Sequence, residues 1–236
     1  MIPLRDANPT RRPALVTLAI VVACGIAFGW ELGLQSSGQA AFEAAITDWG
    51  VVPAELTAAW GRGDFLSGES LTLLSSQFLH GGWLHLLGNL LYLWIFGNNV
   101  EDRMGRLGFL LFYLTGGVLA ALAQVAIDPQ SPIPTIGASG AIAATLGAYL
   151  VFYPGARVTS LVFLGFFYQL VRIPAAIVLV LWFGLQLIDG IGSLGATQSG
   201  GIAFFAHIGG FVFGAVVAWV LNALGAGRQA SPMGVG

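Results

Sequence analysis

The chain alternates between long apolar stretches and short polar ones. The first apolar stretch is Leu15 to Trp30, and further runs follow at about 82–100, 107–127, 137–153, 173–190 and 202–224. Each approaches the roughly 20 residues a helix needs to cross the hydrocarbon core of a bilayer. With the first run extended to about 14–34, the pattern predicts an all-α integral membrane protein with six spans. Arginines precede the first run and no small-residue cleavage site closely follows it, so it reads as a retained signal anchor. Residues 35–81 hold five of the eleven acidic groups and are too many for a plain connector; short interfacial helices are expected there. The apolar run 161–168 is too short to cross and is assigned to an interfacial loop. No repeat and no second domain is visible, leaving tails at 1–13 and 227–236 around one membrane domain, 14–226.

Composition sharpens this picture. Of 236 residues, 56% are apolar and only 8% charged, against roughly 25% charged in soluble domains. The 34 glycines suit helices that approach closely in lipid. There is no lysine and no basic stripe, which excludes a nucleic-acid partner. Cys24 lies alone within an apolar run and reads as a small buried side chain. With six spans, Arg5, Arg11, Arg12, Arg103, Arg106, Arg157, Arg172 and Arg228 fall on one side and only Arg62 on the other. The positive-inside rule then puts both termini in the cytoplasm.

The polar residues inside the runs are few and placed alike. Spans two, four and six would all run inward from the outer side, and each carries polar groups near its start: His85 and Asn89, Ser139, and His207. His85 and Asn89, four apart, share a helix face. His80 stands across Gly81-Gly82, where the loop enters the span, and Ser139 follows a turn containing Pro132 and Pro134. A serine hydroxyl becomes nucleophilic when a histidine takes its proton, and an attacked amide needs donors for its developing oxyanion. Asn89, a His85 ring N–H and the Ser139 backbone N–H are candidate donors. Gly210 and Gly214 make a small-residue face below His207 that can lie against Gly140 at the start of span four.

Each group has a plainer reading. A membrane serine usually bonds its own helix, and a buried histidine or asparagine is often interhelical glue. Agreement in depth across three same-direction spans favours a joint role. No carboxylate or thiol lies at matching depth with ligand spacing, so neither metal nor cofactor is expected. Asp189, at the outer end of span five, reads as a solvated interfacial acid rather than a third catalytic member.

The run His80-Gly81-Gly82-Trp83-Leu84-His85-Leu86-Leu87-Gly88-Asn89 resembles the HxxxxHxxxN signature of rhomboid intramembrane proteases. Gly137-Ala138-Ser139-Gly140 is similar to their GxSG motif, Ala206-His207-Ile208-Gly209-Gly210 to AHxxG, and Glu101-Asp102-Arg103-Met104-Gly105 to their ExxxG turn. The resemblance implies a six-helix rhomboid-like bundle in which Ser139 is the nucleophile, His207 its base, and His85 and Asn89 line an oxyanion hole with Gly137 and His80 in support. It implies transmembrane proteins as substrates, in contact with membrane lipid, and a site open to the outer side of a bacterial cytoplasmic membrane. Gly190 to Gly201 fits a cap over the site, and Trp182, Phe183 and Gln186 of span five a lateral substrate gate. Two positions depart from the pattern. Leu71-Thr72 stand where many members have Trp-Arg, and Ala143 stands where some have a tyrosine packed on the catalytic histidine. A non-proteolytic relative that binds or translocates membrane proteins is the alternative, with an unrelated small transporter behind it. Nothing in the sequence sets the oligomeric state.

Overall fold

A computed structural model describes residues 1–164, 167–193 and 204–225, the side chains of 164 and 185–193 excepted. Most of the expected cap, and the tail 227–236, therefore lie outside the described residues, as do the side chains of Gln186 and Asp189. The chain opens with strand β1 (Ile2–Asp6) and helix α1 (Leu15–Ser37). The short helices α2 (Gln39–Trp49), α3 (Pro53–Gly61) and α4 (Gly68–Ser75) follow. Helix α5 (Trp83–Tyr92) continues through a π-helical stretch, Leu93–Gly97, into α6 (Asn98–Met104). Then come α7 (Arg106–Ile127), α8 (Ser139–Phe152), strands β2 (Arg157–Leu164) and β3 (Phe167–Pro174), α9 (Ala175–Ser193) and α10 (Phe204–Ala223).

Among the described residues, α1, α7 and α10 are long and apolar enough to cross a membrane. Ser139–Phe152 and Ala175–Gly184 are shorter apolar helices. Helix α8 explains how a short helix belongs here. Every residue from Gly140 to Tyr149 is buried, so α8 is apolar all round because protein surrounds it. The outer helices instead turn apolar residues outward, Ile26, Leu107 and Trp219 each being about two-thirds exposed, as surfaces solvated by lipid do.

Glycine and alanine set the spacing around α8. A Cβ on Gly210 would run into the Gly140 carbonyl, one on Gly214 into that of Ala144, and one on Gly147 into that of Phe211. From α7, a Cβ on Gly116 would instead meet the Ala144 methyl group, at 2.8 Å. Small residues thus bring three helices to near backbone contact. The foot of α1 is tied to the bundle by Glu101, whose carboxylate accepts from the Val16 and Thr17 N–H groups and the Thr17 hydroxyl at 2.7–3.0 Å.

The expectation of an all-α chain is corrected by a three-stranded antiparallel sheet in the order β1-β2-β3. Ile2 pairs with Leu161, and Arg157–Leu164 pairs in register with Phe167–Pro174. Of the segment 161–168 assigned to an interfacial loop, residues 161–164 and 167–168 are therefore paired strand, and the polar tail 1–13 contributes a strand to the same sheet. The cause is legible in Val158, Thr159, Val162, Phe163, Tyr168, Val171 and Ile173, side chains that favour a pleated surface. Asp6 fixes this sheet to the bundle, its Oδ2 accepting from the Tyr149 hydroxyl and from Asn99 Nδ2, both at 2.8 Å. Burial lifts the Asp6 carboxyl above the usual carboxylate range.

Candidate active site

Ser139 is the first residue of α8. The N–H groups of a first helical turn have no intrahelical acceptor, and the helix dipole is positive there. The turn before it is held from outside. The Gly137 N–H donates to the Ser76 carbonyl at 2.8 Å, and Val51 and Thr135 exchange two backbone hydrogen bonds of 3.0 and 2.8 Å. Gly137 has φ +124°, in the region that favours glycine. A Cβ there would also stand 2.7 Å from His85 Nε2. Glycine is therefore needed twice over, for the turn and for the approach of the imidazole.

Helix α10 brings His207 to the serine. The Nε2 of His207 lies 2.6 Å from the Ser139 Oγ. His207 is buried and Ser139 half-buried. The Gly210 and Gly214 contacts with α8 lie one and two turns below this pair and fix the separation of the helices. Ala143 is fully buried, 3.3 Å from where a Gly210 Cβ would be. A tyrosine at that position has no room. The ring near His207 is instead Trp182 of α9, with centroids 5.8 Å apart. Phe183 packs on Phe211 at 4.5 Å.

Helix α5 supplies the third side. His85 Nε2 and Ser139 Oγ both lie over the missing side chain of Gly137. Asn89, one turn further on, is buried, and its Nδ2 has no partner among the described residues. A buried donor without a partner is costly and calls for an acceptor. His80 is fully buried before the helix begins. Its Nδ1 lies 3.1 Å from the Phe78 carbonyl; a carbonyl only accepts, so that nitrogen carries the hydrogen. Burial first, and then the neighbouring His85, push the His80 imidazole down to about 4. The His80 and His85 rings meet edge to face at 5.1 Å.

Sequence reasoning overlooked two buried groups. Glu31 of α1 is 1% exposed and both its oxygens accept from the His80 N–H, at 2.9 and 3.2 Å. An acid inside the first apolar run was the available signal. Gln77 is 2% exposed, donates to the Leu73 and Leu114 carbonyls, and lies against Gly117. Between Ser76, Gln77, Thr135 and Ser139 there is a cavity of about 20 Å³, room for one water. Of the departures, Leu71 is exposed, and the Thr72 hydroxyl donates to the Glu69 carbonyl at 2.6 Å within its own helix. Among the described residues no group of three His, Cys, Asp or Glu could hold a metal ion.

Comparison with known proteins places the chain in a family. The model of the Rhomboid domain matches residues 67–223. The chain is similar to the rhomboid protease GluP of Bacillus subtilis, 38% identical over 59% of this chain and 26% of that one. It is also similar to RHOMBOID-like protein 4 of Arabidopsis thaliana, 34% identical over 65% of this chain and 34% of that one. A third relative is the mitochondrial rhomboid protein 1 of Saccharomyces cerevisiae, 24% identical over 65% and 42%. The matched part spans less than half the length of each of these relatives. With apolar helices fit for lipid and a family model matched from the start of α4 to the end of α10, the chain is a membrane protein of the rhomboid family.

Proposed function

We propose that the chain is an intramembrane serine endopeptidase acting on transmembrane segments of other proteins. The observation that carries this reading is the 2.6 Å contact between His207 Nε2 and Ser139 Oγ, the reach required of a base and its nucleophile. His207 takes the hydroxyl proton as Ser139 Oγ attacks the scissile carbonyl carbon. The developing oxyanion is met by the Ser139 N–H, Asn89 Nδ2 and a His85 ring N–H. His207 then passes its proton to the leaving amine, giving an acyl-enzyme that water hydrolyses with the same histidine as base. The small cavity beside Ser139 is a fitting store for that water.

In this reading the chain crosses the membrane six times, with both termini and the arginine-rich loops in the cytoplasm. Helix α8 has 14 residues and so extends about 21 Å, against about 30 Å of hydrocarbon. Its N-terminus, with Ser139, is thereby recessed below the outer surface yet open to it. A substrate helix must unwind locally to offer a carbonyl, because an intact helix keeps its carbonyls in its own hydrogen bonds. Its lateral route is beside α9, past Trp182 and Phe183.

The test is a fluorophosphonate probe and a model transmembrane substrate, both applied in detergent. The wild type should become covalently labelled at Ser139 and cleave the substrate. Ser139→Ala should lose both while still inserting, and His207→Ala should lose both because an unassisted hydroxyl is unreactive. A folded wild type that is neither labelled nor active would favour a binding or translocating role instead.

A further inference from the structure

Glu31 is an acid in the C-terminal third of α1, buried to 1% exposure, and the mechanism above makes no use of it. An acid so fully buried in an apolar helix is expensive and asks for a task. Its only hydrogen-bond partner among the described residues is the backbone N–H of His80, which both carboxylate oxygens engage. That N–H lies between the 3-10 turn Ser76–Phe78 and α5, in a stretch with no regular ladder to hold it. The grip therefore decides where His80 sits.

The consequences run from there to the reacting atoms. The His80 ring, fixed also by Nδ1–H to the Phe78 carbonyl, lies edge to face against His85. His85 in turn stands over Gly137, with Ser139 Oγ on the same side. The neighbouring Ser76 carbonyl holds the Gly137 N–H. Glu31 thus reaches the site from two directions, through the His80–His85 ring contact and through the 76–80 segment that holds the turn before the nucleophile.

We propose that Glu31 is a positioning residue for the oxyanion side of the site: by clamping the His80 N–H it sets His85 relative to Ser139, although it touches no reacting atom. This rests on the serine-protease reading. Displacement of a catalytic group by about 1 Å can cost about 100-fold in rate, so the effect should fall on turnover more than on substrate affinity.

The experiment counts active sites and turnover separately. The endpoint of fluorophosphonate labelling gives the fraction of molecules with a competent Ser139, and cleavage is then expressed per labelled site. Glu31→Met, of similar volume but with no acceptor, should lose tenfold or more in kcat per labelled site with KM within threefold of wild type. Glu31→Gln keeps an acceptor at the same reach and should recover to within about threefold. A merely structural glutamate would lower the labelling endpoint and leave turnover per site unchanged, and that result overturns the proposal. Should Glu31→Met fail to insert, Glu31→Asp draws the acceptor back by one methylene while keeping the charge; unchanged turnover per site in that variant overturns the proposal equally. A wild type that neither labels nor cleaves overturns the protease reading itself, and this inference with it. An active wild type beside an equally active Glu31→Met overturns the Glu31 assignment alone.

Discussion

Where α10 meets α8, backbone lies on backbone: Gly210, Gly214 and Gly147 each face a carbonyl of the opposite helix with no space for a methyl group. Where α9 meets the same site, rings do the contacting. Trp182 lies 5.8 Å from His207 and 6.2 Å from Tyr92, and Phe183 lies 4.5 Å from Phe211. Before these rings only one face of α9 is packed: Ala175, Val178 and Leu179 are buried in the core, while Ile177, Val180 and Leu181 on the other face are half exposed or more. A backbone seam has no slack, since a carbonyl cannot step aside by changing a rotamer. A ring contact can be broken and remade by rotation about two side-chain bonds. The 2.6 Å spacing of serine and histidine is therefore set by the seam, while, in the proposed protease reading, the α9 wall is the one able to yield to a substrate.

The most damaging way to break this asymmetry is to put bulk into the seam. Gly214→Val should force α10 away from Ala144, at a cost at or above the usual 1–3 kcal/mol of overpacking. Its apparent Tm should fall by many degrees and both labelling and turnover should be lost. A stable and active Gly214→Val would mean the helices separate freely and the seam sets nothing.

Asn89 tests the third wall, α5. Its Nδ2 is buried and unpartnered among the described residues, so removing it leaves no orphaned protein acceptor behind. Asn89→Ala should keep its Tm and lose about 100- to 1,000-fold in kcat, the usual cost of one oxyanion donor, with KM little changed. Loss confined to KM would make Asn89 a substrate contact.

Acid should loosen the α5 wall before it touches the seam. His80 titrates at about 4 in the folded protein and about 6.5 when unfolded. Between these values the unfolded chain binds a proton that the fold refuses, so stability is complete above about 6.5 and falls as pH drops toward 4. Asp6 acts in the opposite sense, because burial raises its carboxyl and the fold holds that proton more tightly. The readout is thus a difference: the Tm of His80→Gln in detergent should decline less steeply from pH 6.5 to 4 than that of the wild type.

The sequence made the polar constellation legible because each of its members is an exception to its surroundings. Ser139, His85, Asn89 and His207 interrupt apolar runs, and Gly210 and Gly214 repeat at a helical interval. Glu31 is equally exceptional, yet its partner is a backbone N–H, and a backbone partner leaves no mark in the sequence. The sheet was missed for a different reason. Its strands draw on β-branched and aromatic residues that also suit a membrane helix or an interfacial loop, and the pairing of Ile2 with Leu161 depends on contacts 159 positions apart. Nor does a list of residues foretell that Trp182 takes the ring position near His207 while Ala143 gives its space to Gly210.

The smallest effect is expected at Trp182 itself, and it bears most directly on the difference between the walls. If the seam alone fixes the dyad, removing the ring changes access and the local polarity around His207 but not the distance from His207 to Ser139. Trp182→Ala deletes a large apolar group that is already partly outside the bundle, so it should cost less stability than the 3–5 kcal/mol of a fully buried tryptophan. Labelling of Ser139 by a small fluorophosphonate should proceed to the same endpoint, since the probe needs no lateral route. Cleavage of the transmembrane substrate should change by less than about tenfold in kcat/KM, roughly 1.4 kcal/mol of barrier, with the change lying in KM. A loss approaching that of His207→Ala, at full labelling endpoint and unchanged Tm, would show that the ring orients the histidine. The α9 wall would then share the work assigned to the seam.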